Sequence, residues 1–316
     1  MTKNNYGRSI CVIGAGFIGM ALINNLVLLK YDVVVIDRNN CPDHLKGVVD
    51  WRRGSIDDPT FFKKSLEGID IVYHLVATTV PTDSNVNQIN ELNENVVSVL
   101  QFIRCCIDLN IKKIIFSSSA SVYGRQSTIP ILEDAITNPI STHGINKLMI
   151  EKYLLLAEYL HGISVKILRI SNPYGPSQNI YGRQGFIAMA IGNIKRNEPV
   201  SLRGDGSIVR DFVFIEDVVD ALISVSSDSP SHSILNIGYG VGVTLAEVLD
   251  KLGLIMGRTV ARNYEPPIST DILTSILDIS LATAEIGYYP KFGLVEGLRR
   301  TCSYHGLLPL LGRPAD

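Results

Sequence analysis

The sequence predicts a doubly wound, Rossmann-like α/β fold with a smaller C-terminal α/β domain, and three observations lead there. Strand-length apolar runs alternate with helix-length segments through the first 170 residues, and a glycine-rich turn joins the first run to the first helix. From residue 172 the texture changes to turns rich in Gly, Pro and Tyr between shorter elements.

Predicted strands cover residues 9–13, 33–36, 69–75, 113–116 and 164–170. Their apolar character suits strands buried on both faces of a parallel sheet. Predicted helices cover 17–30, 58–66, 87–109 and 142–160, lengths that suit crossover connections. The βαβ repetition implies a sheet covered by helices on both faces. The expected domains are 1–171, which binds a dinucleotide, and 172–316, which binds substrate, with segments around 205–240 returning to the first. Turn clusters at 172–177, 181–185, 238–242 and 265–269 punctuate the second part. With no repeat or charged linker, the two parts should pack together, and the cleft between them is the expected site.

Composition narrows the function. The chain has 316 residues, 46% hydrophobic and 19% charged, enough apolar surface to fold unaided. Its 29 basic and 31 acidic residues nearly cancel without a basic cluster, which argues against nucleic-acid and membrane-surface partners and makes phosphate binding a local affair. Five cysteines without a CxxC pair fit reduced thiols in a cytoplasmic protein and argue against zinc or any other metal site. The apolar run 10–29 is interrupted by Asn24 and Asn25, so neither a targeting nor a membrane segment is expected.

Gly14-Ala15-Gly16-Phe17-Ile18-Gly19 follows the first strand and opens a helix, where backbone can approach a pyrophosphate at the positive helix terminus. The motif alone is weak. Its context strengthens it, because the helix leads to Val33-Val34-Val35-Ile36-Asp37, an acid at a strand end placed for ribose hydroxyls. Asp37 disfavours a 2'-phosphate although Arg38 stands beside it, so NAD is expected over NADP.

The strand at 113–116 runs into Ser117-Ser118-Ser119-Ala120-Ser121-Val122-Tyr123-Gly124, setting hydroxyls beyond a strand's carboxyl end. In Ser141-Thr142-His143-Gly144-Ile145-Asn146-Lys147, a spacing of four places His143 and Lys147 on one helix face. An ionisable group and a fixed charge can therefore meet beside a nicotinamide.

The order of the glycine turn, strand-end Asp37, SSSAxVYG, Lys147, Asn172-Pro173-Tyr174-Gly175-Pro176 and Arg210-Asp211-Phe212-Val213-Phe214 resembles the extended short-chain dehydrogenase/reductase family. Within it, the resemblance is to the UDP-glucose 4-epimerase-like sugar-nucleotide branch, over nearly the whole chain. It implies that Ser119 bonds the sugar O4 while a Tyr-x-x-x-Lys pair supplies the base and a cofactor-ribose contact. Lys147 matches, but the tyrosine position is His143. Imidazole begins near 6.5 against about 10 for a phenol, so a neutral histidine already accepts a proton. Positive neighbours depress it further, and its shorter reach calls for a bridging water or Ser119 as relay.

The resemblance also assigns cofactor contacts to Gly14, Gly16, Phe17, Ile18 and Gly19, to Asp37 and Arg38, to Ile56 and Asp57, and to Val76, Ala77, Asn95 and Lys147. Substrate contacts fall to Thr78, Ser119, Ser121, Asn172, Arg210 and Ser275. Asn172 and Arg210 would hold the diphosphate, for which a planar guanidinium is apt; the plainer reading makes Arg210 and Asp211 an ion pair. Ile268 stands where related epimerases carry a diphosphate-binding arginine, and Ser55 where they carry an adenine-contacting acid. Ser275 occupies a position that is bulky in some members, leaving room for an N-acetyl group.

The expected activity is NAD-dependent 4-epimerisation of a UDP-hexose or UDP-N-acetylhexosamine, and the resemblance points to surface-polysaccharide work such as O-antigen assembly. A dehydratase or reductase of the same family, or a non-catalytic NAD sensor, stands as the alternative. The apolar excess of helices 87–109 and 142–160 suggests a homodimer through both.

Overall fold

The computed structural model describes residues 9–55, 58–76, 88–227, 230–268 and 271–308. The first six strands are β1 (Ile10–Ile13), β2 (Val33–Asp37), β3 (Asp50–Arg53), β4 (Ile71–His74), β5 (Lys113–Ser119) and β6 (Ser164–Ile170). Past β6 come β7 (Asn172–Tyr174), β8 (Val200–Arg203), β9 (Val209–Phe214), β10 (Ile234–Ile237), β11 (Gly242–Thr244), β12 (Arg262–Glu265) and β13 (Thr274–Ser275). A seven-stranded sheet runs in the order β10-β6-β5-β4-β1-β2-β3, every pair parallel. The order reverses on either side of β1, so β1 and β4 flank the switch point at which open α/β sheets bind ligands.

Alternation along the strands builds two apolar layers. Ile10, Val12 and Tyr73 face α1 (Phe17–Leu28) and supply one core with Leu22 and Leu26. Cys11, Ile13, Val72 and Phe116 face the other way and supply a second core with Phe62 of α2 (Pro59–Ser65). On that second face the chain runs through α3 (Gln88–Glu91), a π-helical segment at Leu92–Val97 and α4 (Ser98–Asp108), then returns as α5 (Thr142–His161). After β7 come α6 (Phe186–Lys195) and α7 (Ile215–Ser227), whose Val218 and Leu222 join the first core. Then follow α8 (Leu245–Met256), α9 (Ser280–Ile286) and α10 (Leu294–Tyr304). A third core joins α6, α8 and α10 beneath a small sheet in which β9 lies between β11 and β13 and also pairs with β7.

Several elements differ from expectation. β3 is a polar edge strand, Asp50-Trp51-Arg52-Arg53, with no apolar run to announce it. β5 does not end at Phe116 but carries Ser117, Ser118 and Ser119 within the strand, paired with β6 as far as Ile170. The helix expected over 87–109 is not one regular helix: the π segment interrupts it, and residue 87 lies outside the described residues. β10 was not foreseen as a strand, yet it closes the edge of the large sheet.

One buried ion pair ties the second face together. Glu151 of α5 and Arg169 of β6 meet at 2.7 Å with side chains 0% and 2% exposed. Ser118 also donates to Glu151, while Arg169 donates to the Glu133 carbonyl at 3.0 Å and lies 4.7 Å from the Tyr123 ring centroid. Such a cluster is tolerated because its polar atoms are satisfied. Arg169→Met alone is therefore expected to cost about 3–5 kcal/mol by leaving a buried carboxylate uncompensated. Glu151→Leu/Arg169→Met should recover at least half of that loss, and urea denaturation of the three proteins measures it.

Candidate active site

The turn after β1 is shaped by its glycines. Gly14 adopts φ +92°, and a Cβ on Gly19 would lie 1.9 Å from the Gly14 carbonyl oxygen, so only glycine lets α1 start this close to the turn. A Cβ on Gly16 would meet nothing within 4 Å, and Gly16 caps α1 without a side-chain hydrogen bond. With glycine at the cap, no capping side chain takes the first N–H groups of α1, which fits a pyrophosphate. At the end of β2, Asp37 accepts from Ala15 N at 2.7 Å and from Asn39 N at 2.8 Å, seating its carboxylate against the same turn. Arg38 is exposed beside it, with its carbonyl accepting from Arg53 Nε at 3.1 Å. Phe17 and Ile18 pack toward the third core, and Val76 closes the turn from the β4 side, 2.8 Å from a Cβ built on Gly14. These residues fit a bound dinucleotide. Ile56, Asp57, Ala77 and Thr78 lie outside the described residues.

The catalytic candidates converge at the carboxyl end of β5. Ser119 ends that strand and caps the following turn, its Oγ accepting from Ser121 N at 3.2 Å. The Ser121 hydroxyl is buried without a hydrogen-bond partner among the described residues. Ser141 caps α5 by accepting from Gly144 N at 3.1 Å. A Cβ on Gly144 would lie 2.6 Å from the Ser121 carbonyl oxygen, so Gly144 is what brings the first turn of α5 against the serine loop. His143 and Lys147 are both buried. The Lys147 ammonium donates to the Ser117 carbonyl at 2.7 Å and lies 4.6 Å from the Phe116 ring centroid.

This arrangement sets the charge states. Burial pushes the Lys147 amine down to about 8, with Glu151 acting in the opposite direction. Burial, and then the Lys147 charge, lowers His143 to about 4. The same two causes lower His74 to about 3.

His74, at the end of β4, was not foreseen; the only signal was a polar residue closing an otherwise apolar strand. Its ring lies between Phe102 and Phe116, with centroids 5.1 Å and 5.8 Å away, and both ring nitrogens lack hydrogen-bond partners among the described residues. His74, Asn95, His143 and Lys147 line one small pocket, together with Glu91 and Asn146.

On the substrate side, Arg210 and Asp211 do not form the ion pair that the plainer reading expects. Arg210 donates to the Val209 and Ile272 carbonyls at 2.9 and 2.8 Å. Asp211 turns inward to the backbone N–H groups of Tyr239, Gly240 and Leu277. Strand alternation sends the two side chains to opposite faces. Asn172 donates to the Asp211 carbonyl at 2.9 Å, and Ser275 lies opposite Arg210 across β13 and β9, so Asn172, Arg210 and Ser275 share one small sheet. Ile268 is exposed, but Asp271 three residues on pairs with Arg203 at 3.0 Å, which brings an unforeseen arginine to this loop.

A glycine turn, a strand-end acid and a buried imidazole–lysine pair at the carboxyl edge of a doubly wound sheet define a dinucleotide-dependent α/β enzyme. The NAD dependent epimerase/dehydratase family matches residues 10–238, and the chain belongs to that family, whose cofactor is NAD. It is 33% identical over 296 residues to the dTDP-4-dehydro-6-deoxyglucose reductase of Escherichia coli, covering 90% of this chain and 93% of that one. The structure is similar to UDP-glucose 4-epimerase of Thermotoga maritima with UDP-glucose, at TM-score 0.89 and 32% identity over 94% of this chain and 98% of that one. It is also similar to the Thermus thermophilus UDP-glucose 4-epimerase complex with NAD, at TM-score 0.85 and 26% identity over 95% of this chain and all of that one.

The buried histidines make stability depend on pH. Each is neutral when folded but protonates near 6.5 when unfolded, so the stability they allow is full above 6.5 and is lost as pH falls toward about 4 for His143 and about 3 for His74. Asp211, raised to about 6 by burial, pulls the other way, so the test is a difference between proteins. His74→Phe is expected to reduce the stability lost between pH 7 and pH 4.5 by about 2–3 kcal/mol, at roughly 1.4 kcal/mol per pH unit below 6.5. Urea denaturation of both proteins at the two pH values checks it; an equal loss would mean that His74 protonates freely in the fold.

Proposed function

We propose that this protein interconverts the C4 epimers of a UDP-hexose or UDP-N-acetylhexosamine through a transient 4-keto sugar. The observation that carries the reading is the pairing of buried His143 with buried Lys147, one helical turn apart, beside the serine loop that ends β5. Bound NAD supplies the acceptor, and afterwards the donor, for the hydrogen on C4.

The chain's own residues do the rest. The Ser119 hydroxyl orients O4, directly or as the relay to the imidazole. Neutral His143 takes the O4 proton as the C–H bond at C4 breaks, and it returns that proton when the sugar presents its other face. Burial, aided by the charge of Lys147, keeps the resting imidazole neutral, and Lys147, fixed on the Ser117 carbonyl, supplies the ribose contact. An imidazolium so destabilised is a strong acid, which suits a base that must give its proton back. Asn172 and Arg210 hold the diphosphate, and Ser275 leaves room beside C2 for an acetamido group.

A second reading has one observation in its favour, the likeness to the Escherichia coli reductase. There the same groups would protonate O4 of a 4-keto sugar once while the reduced cofactor is consumed. A dehydratase is disfavoured because Ser119-Ala120-Ser121 lacks the acids that branch carries in this loop.

Exposed Ile89, Leu92 and Val97 before α4, with Ile145, Leu156, Tyr159 and Leu160 on α5, support a homodimer through these helices. All five cysteines are free, which supports a cytoplasmic setting.

Incubation with UDP-glucose and with UDP-N-acetylglucosamine, followed by proton NMR, should show the axial-O4 product accumulating without net cofactor change. His143→Phe is expected to lower that rate at least about 100-fold, the range of general acid–base contributions. Reduced-cofactor consumption with a 4-keto substrate and no epimer would favour the reductase, and undiminished activity in His143→Phe would contradict the role given to the imidazole.

A further inference from the structure

We propose that His74 and Lys147 share one bound water, which accepts an N–H of the ammonium and donates to the imidazole, so that His74 is a positioning residue for Lys147. The water does not depend on the choice of sugar; only its consequence for cofactor binding rests on reading Lys147 as the ribose contact.

Sheet register brings the two residues together. His74 ends β4 and lies opposite Phe116 of β5. Its ring is seated between Phe102 and Phe116, and the Lys147 ammonium lies 4.6 Å from the centroid of that same Phe116 ring. His74, Asn146 and Lys147 line one pocket and are 2%, 5% and 7% exposed. The pocket leaves about 10 Å³ for the centre of a water molecule, room for one.

Hydrogen-bond accounting supplies the occupant. Burial and the Lys147 charge hold the His74 imidazole neutral, so it carries one N–H and one bare nitrogen. A phenyl ring can receive an N–H on its face, but it has nothing to donate to the bare nitrogen. Neither His74 nitrogen has a partner among the described residues, and neither does the Asn146 amide nitrogen. Buried polar groups left in this way are generally met by ordered water. The Lys147 ammonium gives one N–H to the Ser117 carbonyl and meets Phe116 through its charge, so it has hydrogens to spare. A water can accept from that ammonium, or from the Asn146 amide, while it donates to the bare ring nitrogen.

The consequence falls on Lys147. With one N–H on Ser117 and a second on the water, the third is left for the cofactor ribose. The water oxygen also favours the charged amine, against the effect of burial. The other titratable groups lining the pocket are His143 from α5 and Glu91 and Glu94 from the segment before α4; Glu151, one turn beyond Lys147, is bound to Arg169.

A crystal structure of the full chain with NAD should show one water within about 3.2 Å of both the Lys147 ammonium and a His74 nitrogen. Carbon NMR of 13Cε-lysine-labelled protein then compares the parent with His74→Phe and with His74→Gln, whose amide oxygen can accept from the water. The Lys147 midpoint should fall by about one pH unit in His74→Phe and stay within about 0.3 unit of the parent in His74→Gln. NAD should bind His74→Phe about three- to tenfold more weakly, the loss of one hydrogen bond's worth of positioning. A parent pocket without water density, an unmoved midpoint in His74→Phe, or an equal fall in His74→Gln would overturn the proposal. If His74→Phe does not fold, His74→Met carries the same comparison. A parent that turns over no sugar nucleotide would count against the epimerase reading, while the water density and the Lys147 midpoints would still decide this one.

Discussion

The site depends on one contact, the Lys147 ammonium donating to the Ser117 carbonyl at 2.7 Å beneath the Phe116 ring. It joins helix α5 to strand β5, and so the imidazole on the first turn of α5 to the hydroxyl at the end of β5. It also leaves a cation in the interior with a carbonyl and a ring as its near partners. The nearest carboxylate along α5, Glu151, is already bound to Arg169. The field of that cation reaches both neighbouring imidazoles and, together with burial, keeps them neutral.

In the proposed reaction, a histidine at position 143 changes the acid–base task. A phenol must be activated to ionise near neutral pH, whereas an imidazole is already a base there and needs its charged form made tolerable while it holds a proton. Positive surroundings help a phenol, but they work against a protonated imidazole.

Much of this was legible in the sequence, and the reasons are local. Apolar runs that spell strands buried on both faces gave β1, β2, β4 and β6, and the tight glycine turn between β1 and α1 was legible because it obeys backbone rules. The four-residue spacing placed His143 and Lys147 on one helix face. What stayed hidden depends on partners far along the chain. β3 is polar and owes its strand to pairing with β2. The π segment follows from packing rather than composition. His74 and Glu91 look like ordinary polar residues until β4 and the segment before α4 enclose them with α5. Arg203 and Asp271 meet only when β8 and the loop before β13 come together.

The most direct measurement is the proton affinity of Lys147 itself, read by carbon NMR of 13Cε-lysine-labelled protein through a pH titration. A buried ammonium held by a carbonyl should titrate near 8, about two units below the ordinary lysine value. Titration at about 10.4 would mean that the amine is solvated or neutralised, and the electrostatic account of His143 and His74 would not stand.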